Sequence, residues 1–281
     1  MKKLTGQSRQ QNTINKKVSI KGIGLHTGKK VNMKLLPAPV NTGIIFKRTD
    51  LNNTPSIEAT IANVSSTERS TNLGQENISV FNVEHFMAAL RAYNIDNIKI
   101  ELNNKELPAL DGSAKVYLDL LEKAGIKEQD ETRRIVKIKE NYFIKSKNKY
   151  IGIFPSDKLK INYLIKFDHP VVQTEYFEFE YTPKSFREEI IPARSFGFQN
   201  EIEELKRRGL GLGGSLDNVI LLKEDKVVNK LRFENEFVRH KILDLVGDLY
   251  LNGPIIGEII AIRTGHSENY QISQLIQEGM N

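Results

Sequence analysis

The sequence predicts an α+β protein of two similar domains, each a β-sheet layered with α-helices, with a functional site between them. Three features of the 281 residues predict it. Both halves run several short strands, then a helix, a strand and a helix. A polar stretch, Lys127–Arg134 (KEQDETRR), separates the halves and places the domains at 1–128 and 134–281. The histidines and acids best suited to chemistry fall in both halves, so they act together only if the halves face each other.

In the first half, Val18–Lys21, Val31–Leu36, Gly43–Arg48 and Ser56–Val64 are β-rich and broken by Gly, Pro and Asn, which marks them as strands. Val83–Tyr93 reads as a helix with Asn82 as its N-cap. Asn97–Leu102 alternates like a strand, and Ser113–Ala124 is a second helix closed by Gly125. The second half repeats this grammar. Strands are expected at Ile135–Lys139, Tyr150–Phe154, Leu159–Phe167 and Tyr176–Tyr181, then a helix at Glu234–Asn252, a strand at Ile255–Thr264 and a helix at Ser267–Gln277. An insertion at 194–228 carries its own helix near Gln199–Arg208 and a glycine-rich turn.

Composition excludes several function classes. A hydrophobic fraction of 39% with 27% charged residues describes a soluble globular chain. No apolar run approaches the ~18 residues a membrane span needs, and the basic start lacks the apolar core of a signal peptide. With no cysteine, disulfides, thiolate zinc sites and a cysteine nucleophile are excluded, so any transition-metal site must come from the five histidines and carboxylates. A cytoplasmic location fits. The net charge of +6 admits nucleic acid, an anionic membrane surface or an anionic small substrate. Its basic residues are scattered, as at 2–3, 16–17 and 29–30, with no arginine-rich block, which argues against a nucleic-acid module.

The most specific local signal is Arg239–Asp248 (RHKILDLVGD). On a helix His240, Asp244 and Asp248 share one face, with Gly247 between the acids to admit another backbone or a ligand. Ile242, Leu245 and Leu249 form a separate apolar stripe. The competing reading is an exposed helix with a His–Asp pair. Glu84 and His85 are adjacent on a helix and can flank one metal as base and ligand, or be a solvated helix start. The arrangement is neither HExxH, since position 88 is alanine, nor HxxEH, since position 81 is phenylalanine. His266, in RTGHS, sits where a strand hands over to a helix, a place for a cleft residue or a cap. The glycine-rich stretch at 22–30 fails the phosphate-loop pattern, and GLGLGG at 209–214 follows a helix and not a strand, which rejects a dinucleotide site. A hydrolytic zinc takes three His or carboxylate ligands and leaves a position for water. His85, His240 and Asp244 can fill that role, with Glu84 as base and His266 as a second polar catalyst.

GIGLHTGKKV, STERSTNLG, NVEHFMAALRAYNIDNIKIELN, ELPALDGSA, FDHP, PARSFGF, RRGLGLGGSLDN, LRFENEFVRHKILDLVGDLYLNGPIIG and RTGH occur in this order over roughly residues 11–275. Together they resemble the UDP-3-O-acyl-N-acetylglucosamine deacetylase family of lipid A synthesis. The resemblance implies Zn2+ on His85, His240 and Asp244, Glu84 as general base, His266 as general acid or oxyanion stabiliser, and Asp248 as its orienting partner. It implies Lys241 near the catalytic centre and phosphates. Arg263 stands where many members have lysine at a diphosphate contact, and Ser195 stands where threonine is common. Phe196, Phe198, Ile202, Gly211, Ser215 and Leu216 fall in the segment that implies a channel for the substrate's acyl chain. Asn72 replaces a usual small hydroxyl residue. The implied partner is a small UDP-acyl-sugar, with the protein acting as a monomer and iron able to compete for the metal site. Two other readings compete: a basic nucleotide- or RNA-binding protein without catalysis, and a zinc amidohydrolase of the same fold acting on another N-acetyl sugar.

Overall fold

The computed structural model describes residues 9–279, so the basic pair at 2–3 lies outside the described residues. Its frame is two five-stranded sheets. The first contains β1 (Val18–Ile23), β2 (Lys30–Pro37), β3 (Ile44–Arg48), β4 (Ser56–Glu58) and β5 (Ile98–Leu102) in the order β1-β2-β5-β3-β4. The second contains β6 (Tyr142–Ser146), β7 (Lys149–Phe154), β8 (Lys160–Lys166), β9 (Thr174–Glu180) and β10 (Glu258–Ile262) in the order β6-β7-β10-β8-β9. Each sheet is two hairpins with a later strand set between them. β5 runs antiparallel to β2 and parallel to β3, just as β10 runs antiparallel to β7 and parallel to β8.

The helices repeat with the strands. α1 (Glu84–Tyr93) and α2 (Lys115–Ala124) flank β5, α3 (Ile202–Arg207) lies in the insertion, and α4 (Glu236–Leu249) and α5 (His266–Glu278) flank β10. Alternation decides which sheet face they cover. β2 buries Val31, Met33 and Leu35 and exposes Lys30, Asn32 and Lys34, while β8 buries Ile161, Tyr163 and Ile165. α1 and α4 are buried almost all round because each packs on its own sheet and on the other helix. Gly247 is what lets them meet: a Cβ there would lie 2.1 Å from the Glu84 carbonyl oxygen. α1 ends at Asn94, whose left-handed φ of 51° and ψ of 50° suit asparagine.

Several expectations change. The polar stretch at 127–134 does lie between the halves in chain order, but most of it is the strand Ile126–Thr132, paired antiparallel with Gln10–Ile14. Exposure on this ribbon explains its polarity. Asn82 does not cap α1. It sits at φ 61° and its amide donates to Glu106 Oε1 at 2.7 Å, a buried carboxylate that also accepts from the His26 and Thr27 N–H groups. Ser56–Val64 is broken after Glu58 by a 3-10 turn, and Ile255–Thr264 is split at Gly257. β6 was not expected, because this edge strand leaves Phe143, Lys145 and Ser146 exposed, most of its five residues, and lacks a plain hydrophobic run.

Candidate active site

α4 presents His240 and Asp244 one turn apart, and α1 brings His85 against them. The exposed-helix reading is overturned, since His240, Asp244 and Asp248 are all buried. The Nε2 atoms of His85 and His240 both lie 3.4 Å from Asp244 Oδ1, and the two rings stand perpendicular with centroids 5.1 Å apart. Ligand atoms around a tetrahedral ion at 2.0–2.1 Å are about 3.3–3.4 Å apart, so this spacing fits a shared ion. Asp244 Oδ1 is buried and has no hydrogen-bond donor, a cost the fold accepts where a cation completes the site. Its other oxygen accepts from Lys241 Nζ at 2.9 Å. His240 Nδ1 donates to the Ala193 carbonyl at 3.3 Å, which fixes the tautomer that leaves Nε2 free to coordinate. Within the described residues, this trio is the group able to hold a metal ion.

Electrostatics sort the remaining groups by role. Burial pushes the Glu84 carboxyl up, against the pull of His266 and His85. Burial holds His240 down to about 3, so it stays neutral, the form able to coordinate a metal. Burial also opposes charge on Asp244, but the Lys241 ammonium and the hydrogen bond with His85 hold its pKa well below the usual range. For His266 burial likewise works against charge, yet Asp248 overrides it and raises the imidazole to about 9. His266 begins α5 directly after β10, as the strand–helix junction predicted, and its Nδ1 donates to Asp248 Oδ2 at 2.8 Å.

These groups line a cavity of about 560 Å³. Glu84, His85, His240, Lys241, Asp244 and His266 lie in its wall, and so do Ser195, Phe196, Phe198, Ile202, Gly211, Ser215 and Leu216 from the insertion. Asp248 stands behind His266, and Arg263 is not among the lining residues. The insertion pairs Phe196–Phe198 with Ile220–Lys223, and Phe196 carries its apolar wall to His240 with ring centroids 6.0 Å apart. Glu236 in the first turn of α4 holds both feet of the insertion, accepting from the Arg194 N–H at 3.0 Å and the Arg232 N–H at 2.6 Å. The glycine-rich turn docks across the cavity on the first half: Gly213 N–H donates to Leu25 O at 2.9 Å and Gly211 N–H to His26 Nδ1 at 3.3 Å. GLGLGG is therefore a close-packing turn, with Gly213 seated on the Gly24 carbonyl.

Sequence reasoning missed Thr71, Asn269 and Glu106. Thr71 Oγ1 donates to Asp248 Oδ1 at 2.5 Å and Asn269 Nδ2 to Asp248 Oδ2 at 2.9 Å. None belongs to a periodic pattern, so only their partners in space reveal them. Asn72 does find a local role, its Oδ1 accepting from Ser70 Oγ and from the Asn82 N–H.

Comparison with known proteins identifies the family of the chain. Residues 11–278 match the LpxC family, UDP-3-O-acyl N-acetylglycosamine deacetylase. A UDP-3-O-acyl-N-acetylglucosamine deacetylase of a Nitratiruptor species is 44% identical over 276 residues, which covers 97% of this chain and 92% of that protein. Proteins of the same name from Syntrophotalea carbinolica and Xylella fastidiosa (strain Temecula1) are 43% and 41% identical over 95% of this chain, and over 87% and 90% of their own lengths. The match spans both sheets, the helices that carry His85, His240 and Asp244, and the insertion, and on that ground the chain belongs to the LpxC family of UDP-3-O-acyl N-acetylglycosamine deacetylases.

Proposed function

We propose that this protein is a zinc-dependent amide hydrolase that removes the acetyl group of UDP-3-O-(3-hydroxyacyl)-N-acetylglucosamine. The products are acetate and the free amine, an early committed step of lipid A biosynthesis. The observation that carries this reading is the convergence of His85, His240 and Asp244 beside Glu84 and His266 in one cavity with an aromatic wall. Two imidazoles and a carboxylate suit zinc with a position left open, although iron competes for such a set. Bound there, the ion would polarise the acetamide carbonyl and acidify a water.

The chain's own groups perform the proton transfers. Glu84 Oε2 is committed to the Thr71 N–H at 3.0 Å, which leaves Oε1 to take a proton from the attacking water. Burial, which favours the neutral carboxyl, makes Glu84 a readier proton acceptor than an exposed glutamate. His266, held as imidazolium by Asp248, stabilises the tetrahedral oxyanion and then passes a proton to the departing amine. Lys241 neutralises the Asp244 oxygen facing away from the histidines and adds positive charge to the cavity wall. The fatty acyl chain lies against Phe196, Phe198, Ile202, Gly211, Ser215 and Leu216, with the Ser195 hydroxyl near the sugar. Arg263, two residues before Gly265 and close in sequence to His266, is the group we assign to the diphosphate. The two sheet-and-helix units act as domains, 1–128 and 134–281, which close on the substrate from either side.

No helix among the described residues is long and apolar enough to cross a membrane; the proposal places the protein in the cytoplasm, acting as a monomer on a nucleotide-linked lipid precursor. Acetate release from the UDP-acyl-sugar tests the reading. Activity should vanish on chelation and return with zinc. A metal-loaded protein that releases no acetate from this substrate would sink the proposal.

A further inference from the structure

One buried residue joins the two catalytic groups, and no periodic motif draws attention to it. Thr71 lies in the strand-and-turn segment that precedes α1 and is 2% exposed. Its backbone holds the start of α1, with the N–H donating to Glu84 Oε2 at 3.0 Å and the carbonyl accepting from the Val83 N–H at 3.1 Å. Its hydroxyl points to the other half, donating to Asp248 Oδ1 at 2.5 Å. A hydroxyl has one proton, so the contact of Oγ1 with His266 Nδ1 at 3.3 Å makes the imidazole N–H the donor there. His266 Nδ1–H is thus shared between Asp248 Oδ2 and Thr71 Oγ1.

We propose that Thr71 is the positioning residue of the acid–base pair, fixing Glu84 through its amide and the Asp248–His266 couple through its hydroxyl. Two consequences follow from the geometry. The Nδ1–H is locked toward Asp248, which turns Nε2 of His266 toward the reacting atoms. The base from α1 and the acid from α5 are also held at a fixed separation by one residue, so both meet a substrate already aligned. The hydroxyl acts on a carboxylate, and hydrogen bonds to charged groups are the strong class, so the effect belongs in turnover. The hydrogen bonds of Thr71 run to Glu84, Val83, Asp248 and His266 and not to His85, His240 or Asp244, so metal retention should not depend on it. This inference rests on the deacetylase reading above.

The test compares Thr71→Val, which keeps the shape and the amide but loses the hydroxyl, with Thr71→Ser, which keeps both polar groups. Steady-state acetate release, metal per chain and melting temperature are read on the same preparations. Thr71→Val should lower kcat by about tenfold to a hundredfold, the scale of one charged hydrogen bond, with KM and metal content near wild type. Thr71→Ser should restore most of the rate. In a background of Asp248→Asn, Thr71→Val should add little further loss, because both act through His266. A Thr71→Val protein with wild-type kcat, a loss that Thr71→Ser does not restore, or losses that simply add to those of Asp248→Asn would each overturn the inference. If wild-type protein with bound metal releases no acetate, the deacetylase reading fails instead, so the two failures are distinct.

Discussion

The two halves share a frame and differ in what they hang on it. Each has two hairpins, a helix, a central strand and a second helix in the same order and with the same strand directions. The difference lies between the fourth strand and the first helix. In the first half that connection is a small three-stranded sheet, Val64–Ser66, Asn72–Gln75 and Ile78–Val80, which delivers Thr71 to the catalytic groups. In the second half the matching connection is longer and contains the insertion that walls the cavity. The frame packs the helices that carry His85 and the His240–Asp244 pair against each other, and the two connections bring Thr71 to Asp248 on one side and the cavity wall on the other. Neither half holds a complete site.

Mutations can break this division of labour. The largest effect is expected at the shared ion. His85→Ala from the first half and His240→Ala or Asp244→Ala from the second should each strip the metal and abolish activity, read by metal analysis and acetate release. Full activity in a metal-poor Asp244→Ala protein would contradict a site built across both halves. Next comes the contact between α1 and α4. Gly247→Ala puts a methyl 2.1 Å from the Glu84 carbonyl, and overpacking of this kind costs about 1–3 kcal/mol, with a lower melting temperature and misplacement of Glu84. An unchanged melting temperature would mean the helices separate freely.

A subtler test separates the acid from its support. His266 acts protonated and its pKa is raised to about 9, so activity should fall as pH rises through that value. Asp248→Asn removes the charge that holds the proton, so the basic limb should move down toward the ordinary histidine value of 6.5. A limb that stays in place would assign it to another group. The smallest effect concerns the insertion. Replacing Gly211 or Ser215 with a bulky residue should impair long-chain substrates more than short-chain ones, with roughly 0.8 kcal/mol at stake per buried methylene. Equal losses for both chain lengths would mean that the insertion does not hold the acyl chain.

What the sequence revealed follows the same split. His240, Asp244, Asp248 and Gly247 were legible because a helix repeats every 3.6 residues, so spacing of four reports a shared face. Glu84, His85 and His266 were legible from position at a helix start or strand end. The resemblance across ordered motifs supplied their roles. The repeated strand–helix grammar gave both sheets but not their edges: β6 and Ile126–Thr132 are exposed strands, whose polar residues imitate loops. Asn82 had the right chemistry for a cap and lost it to the buried Glu106, a competition set by contacts 24 residues apart. Thr71 stayed hidden because its partners are 13 and 177 residues away, beyond any local period.

The central claim is that Glu84 moves a proton without holding the metal. Metal per chain and the initial rate of acetate release, measured together for wild type and Glu84→Gln, test it most directly. The account predicts wild-type metal content with turnover lowered by about 10²-fold or more, the usual scale of general acid–base catalysis. Near-normal turnover in Glu84→Gln, or loss of metal in step with activity, would contradict it.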